Sequence, residues 1–152
     1  MLNMSFSIFS DEYFMNEALK EAQKAFDKDE IPVGAVIVHN NRIIARAHNL
    51  TEQLNDVTAH AEMQAITSAA SFIGGKYLKG CVMYVTLEPC VMCGGALAWS
   101  QISRIVYGAD DDKRGFSSVS KQISHPKTEI KGGVLSTECG AIIKDFFAKK
   151  RK

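Results

Sequence analysis

His60-Ala61-Glu62 and, well downstream, Pro89-Cys90-Val91-Met92-Cys93 constrain this chain more than any other feature. One imidazole and two thiols form a complete protein ligand set for a catalytic zinc ion, because three ligands leave the fourth tetrahedral position open for water. Any fold of this chain therefore has to bring the two segments to one point. Cys90 and Cys93 share a side only if they lie on a first helical turn, and His60 must then arrive from another helix. Glu62 stands so close to His60 in the chain that in mid-helix the two would point to nearly opposite sides. They can serve one site if the pair opens a helix, where side chains reach over the helix mouth.

The residue types suit hydrolytic chemistry. Free water is a poor nucleophile at neutral pH, and zinc lowers the pKa of a bound water to about 7. Two thiolates and a neutral imidazole balance the charge of the ion. Glu62 can then take a proton from the activated water and return it to the substrate, which it does best if a dry pocket moves its pKa toward working pH. A zinc site that only holds a fold normally has four protein ligands. The unused candidates are His39, His48, His125, Cys81 and Cys139. Cys81 opens an apolar strand and Cys139 sits at a helix start, so each reads as a small core residue. A redox Cys-x-x-Cys would have no need of the His-x-Glu. His39 and His48 read as surface or core residues, and Trp99 as packing rather than a base-stacking platform.

A length of 152 residues suits one domain, 1–152, with a real core. Hydrophobic residues at 46% and charged residues at 23% are ordinary for a soluble globular protein, and a net charge of +1 does not by itself announce a nucleic-acid binder. No apolar run approaches the roughly twenty residues of a membrane helix. Met1 to Ser10 has no basic region ahead of its apolar residues and does not read as a secretory signal. Without one, the four cysteines fit a reducing, cytoplasmic setting, in which a close pair binds metal or does redox work.

Ser10 or Asp11 can cap a first helix that carries Phe14, Ala18, Ala22, Ala25 and Phe26 near helical spacing and ends at Glu30-Ile31-Pro32. Val33 to Val38 and Ile43 to Ala47 read as strands of a hairpin turned by Asn40-Asn41. A second helix is expected from about Ala59 to Phe72, stopped by Gly74-Gly75. A third strand follows over Val82 to Leu87, then a third helix from the Pro89-Cys90 region to about Ser100, then a fourth strand over Ile102 to Tyr107. Asp110 to Lys131 shows weak structure signals. Val134-Leu135 suggests a short fifth strand before a last amphipathic helix opened by Thr137-Glu138. Alternating helices and strands argue an α/β domain with a mixed sheet covered on both faces. Both motifs fall where a strand or loop gives way to a helix, and the positive helix end favours thiolate at Cys90 and Cys93.

His-x-Glu followed by Pro-Cys-x-x-Cys is the known signature of zinc deaminases that act on nucleobases. Ile31-Pro32-Val33-Gly34-Ala35-Val36, Asn55-Asp56-Val57-Thr58-Ala59-His60-Ala61-Glu62 and Tyr84-Val85-Thr86-Leu87-Glu88-Pro89-Cys90-Val91-Met92-Cys93 make the chain resemble, from about Tyr13 to Tyr107, the bacterial tRNA-specific adenosine deaminases of the cytidine/deoxycytidylate deaminase superfamily. The resemblance implies a cytidine-deaminase-like three-layer α/β/α sandwich with a mixed, mostly five-stranded sheet. It implies a homodimer with one zinc ion per subunit, ligated by His60, Cys90 and Cys93, with Glu62 as proton donor and acceptor. Asn49 falls where the family touches the substrate base. Lys113 and Gly115, with Asp111, fall in a short Asp-x-Lys-x-Gly stretch near the RNA. The implied reaction is hydrolysis of adenosine to inosine at the wobble position of a tRNA anticodon loop, the work of a hydrolase on a cyclic amidine C–N bond.

An anticodon loop presents unstacked bases, so a deep pocket can receive one without opening a duplex. Arg46, Lys76, Lys79, Arg104, Lys113 and Arg114 flank predicted strand ends and loops and could meet its phosphates. The Lys149-Lys150-Arg151-Lys152 tail reads as a solvated terminus, with phosphate contact as its functional alternative. Two other functions use the same metal set. A free-base deaminase, for guanine or cytosine, would have a closed small pocket and no basic rim; the Leu87-Glu88-Pro89 lead-in and Phe146-Phe147 favour the tRNA reading. A non-catalytic zinc-binding partner subunit would have no use for Glu62.

Overall fold

The computed structural model describes residues 9–151. Of the Met1 to Ser10 start only Phe9 and Ser10 fall within them, and Lys152 lies outside. Helix α1 spans Asp11–Asp27. Ser10 caps it: the Tyr13 N–H donates to Ser10 Oγ at 3.1 Å, and Asp11 and Glu12 sit in the first turn, at the positive end of the helix.

Strands β1 (Gly34–His39) and β2 (Arg42–His48) form the expected hairpin. Its two-residue turn needs left-handed backbone at both positions, and Asn40 and Asn41 supply it with φ of 50° and 61°. Helix α2 spans Ala61–Ile73 and ends in a left-handed Gly74. Strand β3 (Cys81–Leu87) leads into α3 (Val91–Ser100), and β4 (Arg104–Ala109) follows.

The fifth strand is not Val134-Leu135. It is β5, Glu129–Lys131, which pairs parallel to β4 from inside the stretch that carried weak signals. Its three residues are all exposed, so no buried face marks them in the sequence. Val134 is instead a buried contact ahead of helix α4 (Ser136–Lys150), and Leu135 takes a left-handed φ of 54°, which no strand residue adopts.

The sheet order is β2-β1-β3-β4-β5. Because β1 runs antiparallel to both neighbours and β3, β4 and β5 run parallel, β2, β3 and β4 point the same way. Their carboxyl ends therefore open on one edge, where Asn49, Glu88 to Cys90 and Asp110 to Gly115 emerge. Ligands of open α/β sheets bind outside such an edge.

Side chains alternate across the sheet. Ala35, Ile37, Met83, Val85 and Ile105 pack with Ala61, Ala65 and Ala69 of α2 and Leu97 of α3. Val36, Val38, Tyr84 and Val106 pack on the other side with Phe14, Met15 and Ala18 of α1 and Cys139 of α4. The result is the three-layer α/β/α sandwich with a mixed five-stranded sheet.

Gly34 fixes how closely α1 lies on the sheet. A Cβ there would collide with the Ala18 carbonyl and the Ala22 amide, both backbone atoms that cannot swing aside. Gly34→Ala is expected to destabilise the protein by about 3 kcal/mol, the upper end for overpacking. Denaturant unfolding checks this; an unchanged midpoint would show that α1 rides loosely on the sheet.

Candidate metal centre and substrate pocket

His60 is the N-cap of α2 and Cys90 the N-cap of α3, both with extended backbone, and neither side chain caps its helix. Ser, Thr, Asn or Asp would normally hold such positions and turn inward to the first-turn amides. Here the two side chains turn toward each other. Asp56 sets the approach to His60, with its Oδ1 accepting the Thr58 N–H at 2.8 Å and the Thr58 hydroxyl at 2.7 Å. The Gln64 amide donates to the carbonyls of His48 at 2.7 Å and Ala59 at 3.1 Å, tying the exit of β2 to the start of α2.

The donor atoms meet. His60 Nδ1 lies 3.7 Å from Cys90 Sγ and 3.5 Å from Cys93 Sγ, and all three ligand atoms lie within 4.8 Å of one another. Zinc bonds of about 2.3 Å to sulfur and about 2.0–2.1 Å to nitrogen, set at a tetrahedral angle, place nitrogen and sulfur about 3.6 Å apart. The spacing fits a tetrahedral ion with three protein ligands. Among the described residues no other group of three or more His, Cys, Asp or Glu side chains converges in this way. His39 instead faces the Gly80 carbonyl, His48 faces Glu21 and Lys28, and Cys81 and Cys139 are free and buried.

The electrostatics match that geometry. Without a cation the two sulfurs compete for a proton. The hydrogen bond from Cys93 pulls the Cys90 thiol down to about 4, while its counterpart and burial drive the Cys93 thiol upward. A metal ion resolves the competition by holding both sulfurs as thiolates. The hydrogen bond with Cys90 raises the His60 pKa. Glu62 sits in the first turn of α2, as its pairing with His60 requires, and is 4% exposed. Burial pushes its carboxyl up to about 7, against the opposing pull of its own backbone amide and of His60.

A cavity of about 630 Å³ opens beside these residues, within the range of small-molecule sites. His60, Glu62 and Cys90 line it together with Asn49, and Leu87, Ile143 and Phe147 give it an apolar wall. Asn49 is 5% exposed, and its Oδ1 is the one buried side-chain nitrogen or oxygen among the described residues with no hydrogen-bond partner. Leaving a buried carbonyl unpaired costs about 1–3 kcal/mol, which a donor on a bound ligand would recover.

Other expected contacts divide. Lys113 and Arg114 line the cavity. Arg46 and Arg104 do not: Arg46 bonds Glu17 at 2.8 Å, and Arg104, at the opposite edge of the sheet, grips Asp11 at 2.8 and 3.0 Å. Lys149 and Lys150 belong to α4, where Lys150 meets Asp29 at 2.6 Å. Trp99 does not pack inside the chain's core; it is 84% exposed. Glu17, Glu21, Glu30 and Glu88 are buried carboxylates that no sequence signal marks as buried, and two of them hold loops. Glu30 accepts the amides of Glu52 and Gln53, and Glu88 accepts those of Asp111 and Ser117. An acidic residue directly before Ile31-Pro32 or Pro89-Cys90 is their only linear trace.

An α/β/α sandwich with a three-donor metal centre at paired helix N-termini, beside a ligand-sized cavity, is the class that fold and site define. The family model for the cytidine and deoxycytidylate deaminase zinc-binding region matches residues 9–109. The tRNA-specific adenosine deaminase of Aquifex aeolicus is 54% identical over 145 residues, covering 92% of this chain and 95% of that one. The Bacillus subtilis enzyme of the same name is 46% identical over 148 residues, covering 93% and 91%. A solved structure from work on A-to-I editing by tRNA:A34 deaminases at the wobble position superposes with a TM-score of 0.79 at 41% identity, covering 86% of this chain and 98% of that one. The chain belongs to the cytidine and deoxycytidylate deaminase family and, within it, to the tRNA-specific adenosine deaminases. It is thus a hydrolase of C–N bonds, and its cofactor is one zinc ion.

Proposed function

We propose that this protein hydrolyses adenosine to inosine at the wobble position of a tRNA anticodon, with His60, Cys90 and Cys93 as zinc ligands, Glu62 as proton carrier and Asn49 as base contact. The observation that carries the reading is the unpaired, buried Oδ1 of Asn49, a residue that lines the same cavity as His60, Cys90 and Glu62. Zinc, when bound, supplies the Lewis acidity that makes water nucleophilic near neutral pH.

The chain does the rest. Glu62 accepts a proton as water adds at C6 of adenine, gives it to N1, and carries a second proton to the departing amine. Water is consumed, ammonia leaves, and C6 ends as a carbonyl. A buried carboxylate titrating near working pH is suited to both transfers. Leu87, Ile143 and Phe147 exclude water around the base, and Lys113 and Arg114 at the rim suit the phosphates of a splayed loop. Ammonia release tests the substrate: an adenine-bearing anticodon stem-loop is expected to react, and free guanine and cytosine are not. Reaction confined to a free base would replace this reading.

Residues 1–152 form one deaminase domain in this proposal, which works in the cytoplasm as a homodimer. Four free cysteines suit a reducing compartment, and no helix among the described residues is long and apolar enough to cross a membrane. Trp99 of α3, at 84% exposure, and Tyr77, at 46%, line one surface hollow together with Ile66 and Ala96, and exposed aromatic surface of this kind suits a protein contact. A second copy of the chain is the occupant proposed for this face. Trp99→Glu is expected to sediment as a monomer; a variant that stays dimeric would place the contact elsewhere.

A further inference from the structure

We propose that Glu88 is a positioning residue that moulds the loop from Asp111 to Ser117 over the pocket and so sets how firmly RNA is held. The proposal rests on the reading of the pocket as an RNA site. Glu88 lies between the end of β3 and Pro89-Cys90 and is 4% exposed. A carboxylate that far from water is tolerated only if its oxygens are well supplied with donors. Both oxygens are spent on one loop. Oε1 accepts the Asp111 N–H at 3.1 Å; Oε2 accepts the Ser117 N–H at 3.1 Å and the Ser117 hydroxyl as well. Such charge-assisted bonds are about twice as strong as neutral ones.

The loop is shaped around that carboxyl group. A Cβ on Gly115 would occupy the space the carboxyl fills, so glycine is what lets the loop close over it. Gly115 bridges to Cys90, and the Phe116 N–H donates to the Pro89 carbonyl at 2.9 Å. The inner tier of the loop is thereby pinned to the segment that carries a metal ligand. The outer tier is left to Asp111, whose Oδ1 accepts the amides of Lys113 and Arg114 at 3.2 and 3.0 Å. Glu88 thus fixes the platform from which these two cations reach the cavity rim. With its oxygens committed to loop donors it has no part in the proton transfers given to Glu62.

Glu88→Gln keeps the size of the side chain but sets an NH2 group against a backbone N–H. It is expected to raise KM for an anticodon stem-loop about 10- to 100-fold, the worth of a charge-assisted hydrogen bond. The loop touches bound RNA before and during reaction alike, so kcat should change less than about threefold. Hydrogen exchange on the zinc-loaded full-length protein should show faster exchange at Asp111, Phe116 and Ser117, with zinc content unchanged. Ser117→Ala, which removes one donor and leaves the carboxylate, should move KM and exchange the same way by less. A fall in kcat at constant KM, or unchanged exchange across the loop, overturns the proposal. If Glu88→Gln does not fold, Ser117→Ala decides by the same readings. If the wild type releases no ammonia from the stem-loop, the reading of function fails, while exchange in the variants still decides whether Glu88 holds the loop.

Discussion

Glu62→Ala is expected to lower ammonia release by about 10³- to 10⁴-fold, toward the upper end of what a positioned acid–base group contributes, while the protein keeps its zinc and its fold. The side chain is buried in the first turn of α2 and is not among the three donors that converge on the metal position. In the proposed mechanism its loss therefore removes the proton carrier and leaves the three proposed ligands whole. Truncation also removes a carboxyl group whose charged form burial disfavours, so stability should hold or rise slightly. Glu62→Gln is the sharper probe, since it keeps the shape and removes the titrating oxygen. Single-turnover rates alongside metal analysis check both variants. Normal turnover in either would falsify the shuttle role, and loss of zinc would turn Glu62 into part of the metal site.

Cys90→Ala and Cys93→Ala should have the opposite signature: zinc is lost, and activity and stability fall together. Cys90 occupies the N-cap position of α3 and Cys93 lies within that helix, while His60 occupies the N-cap position of α2, so an ion bound as proposed would staple two helix starts that follow separate strands. Once a thiolate is gone the remaining two donors leave the ion exchangeable, and the binding energy that was also folding energy goes with it. A loss of a few kcal/mol lowers the melting temperature of a chain this size by about 10 °C. Chelator-treated wild type should melt close to the Cys90→Ala protein, because both lack the same staple. Metal content, melting with and without chelator, and ammonia release are the measurements. A Cys93→Ala protein that kept one zinc per chain at full stability would remove Cys93 from the ligand set.

The convergence of His60, Cys90 and Cys93 was legible in the linear chain because their chemistry is rare and their spacing strict. His60 and Glu62 can meet only at a helix opening, and α2 opens at Ala61 with His60 as its cap. The hairpin was legible from Asn40-Asn41, since few residues accept two left-handed positions in succession. Three features were hidden for physical reasons. β5 has no buried face, so hydrophobic alternation does not reveal it, and the apolar Val134-Leu135 pair resembles a strand more closely. Trp99 shows its ring to solvent, because what faces a neighbouring layer and what faces outward on a short helix depends on packing that no window of sequence encodes. Glu30 and Glu88 are buried by loops that return from later in the chain, Glu52-Gln53 and Asp111 to Ser117, and a carboxylate at the end of an element ordinarily reads as solvated.

The direction of β1 has a practical use. The strand starts at Gly34 beside His48, near the edge where the pocket opens, and runs away from it to His39. The Asn40-Asn41 tip therefore projects at the far end of the molecule. A fluorophore, an affinity handle or a whole fused module spliced between those two asparagines would hang clear of an approaching nucleic acid, making the tip a natural tether for immobilising this catalyst or joining it to a targeting partner.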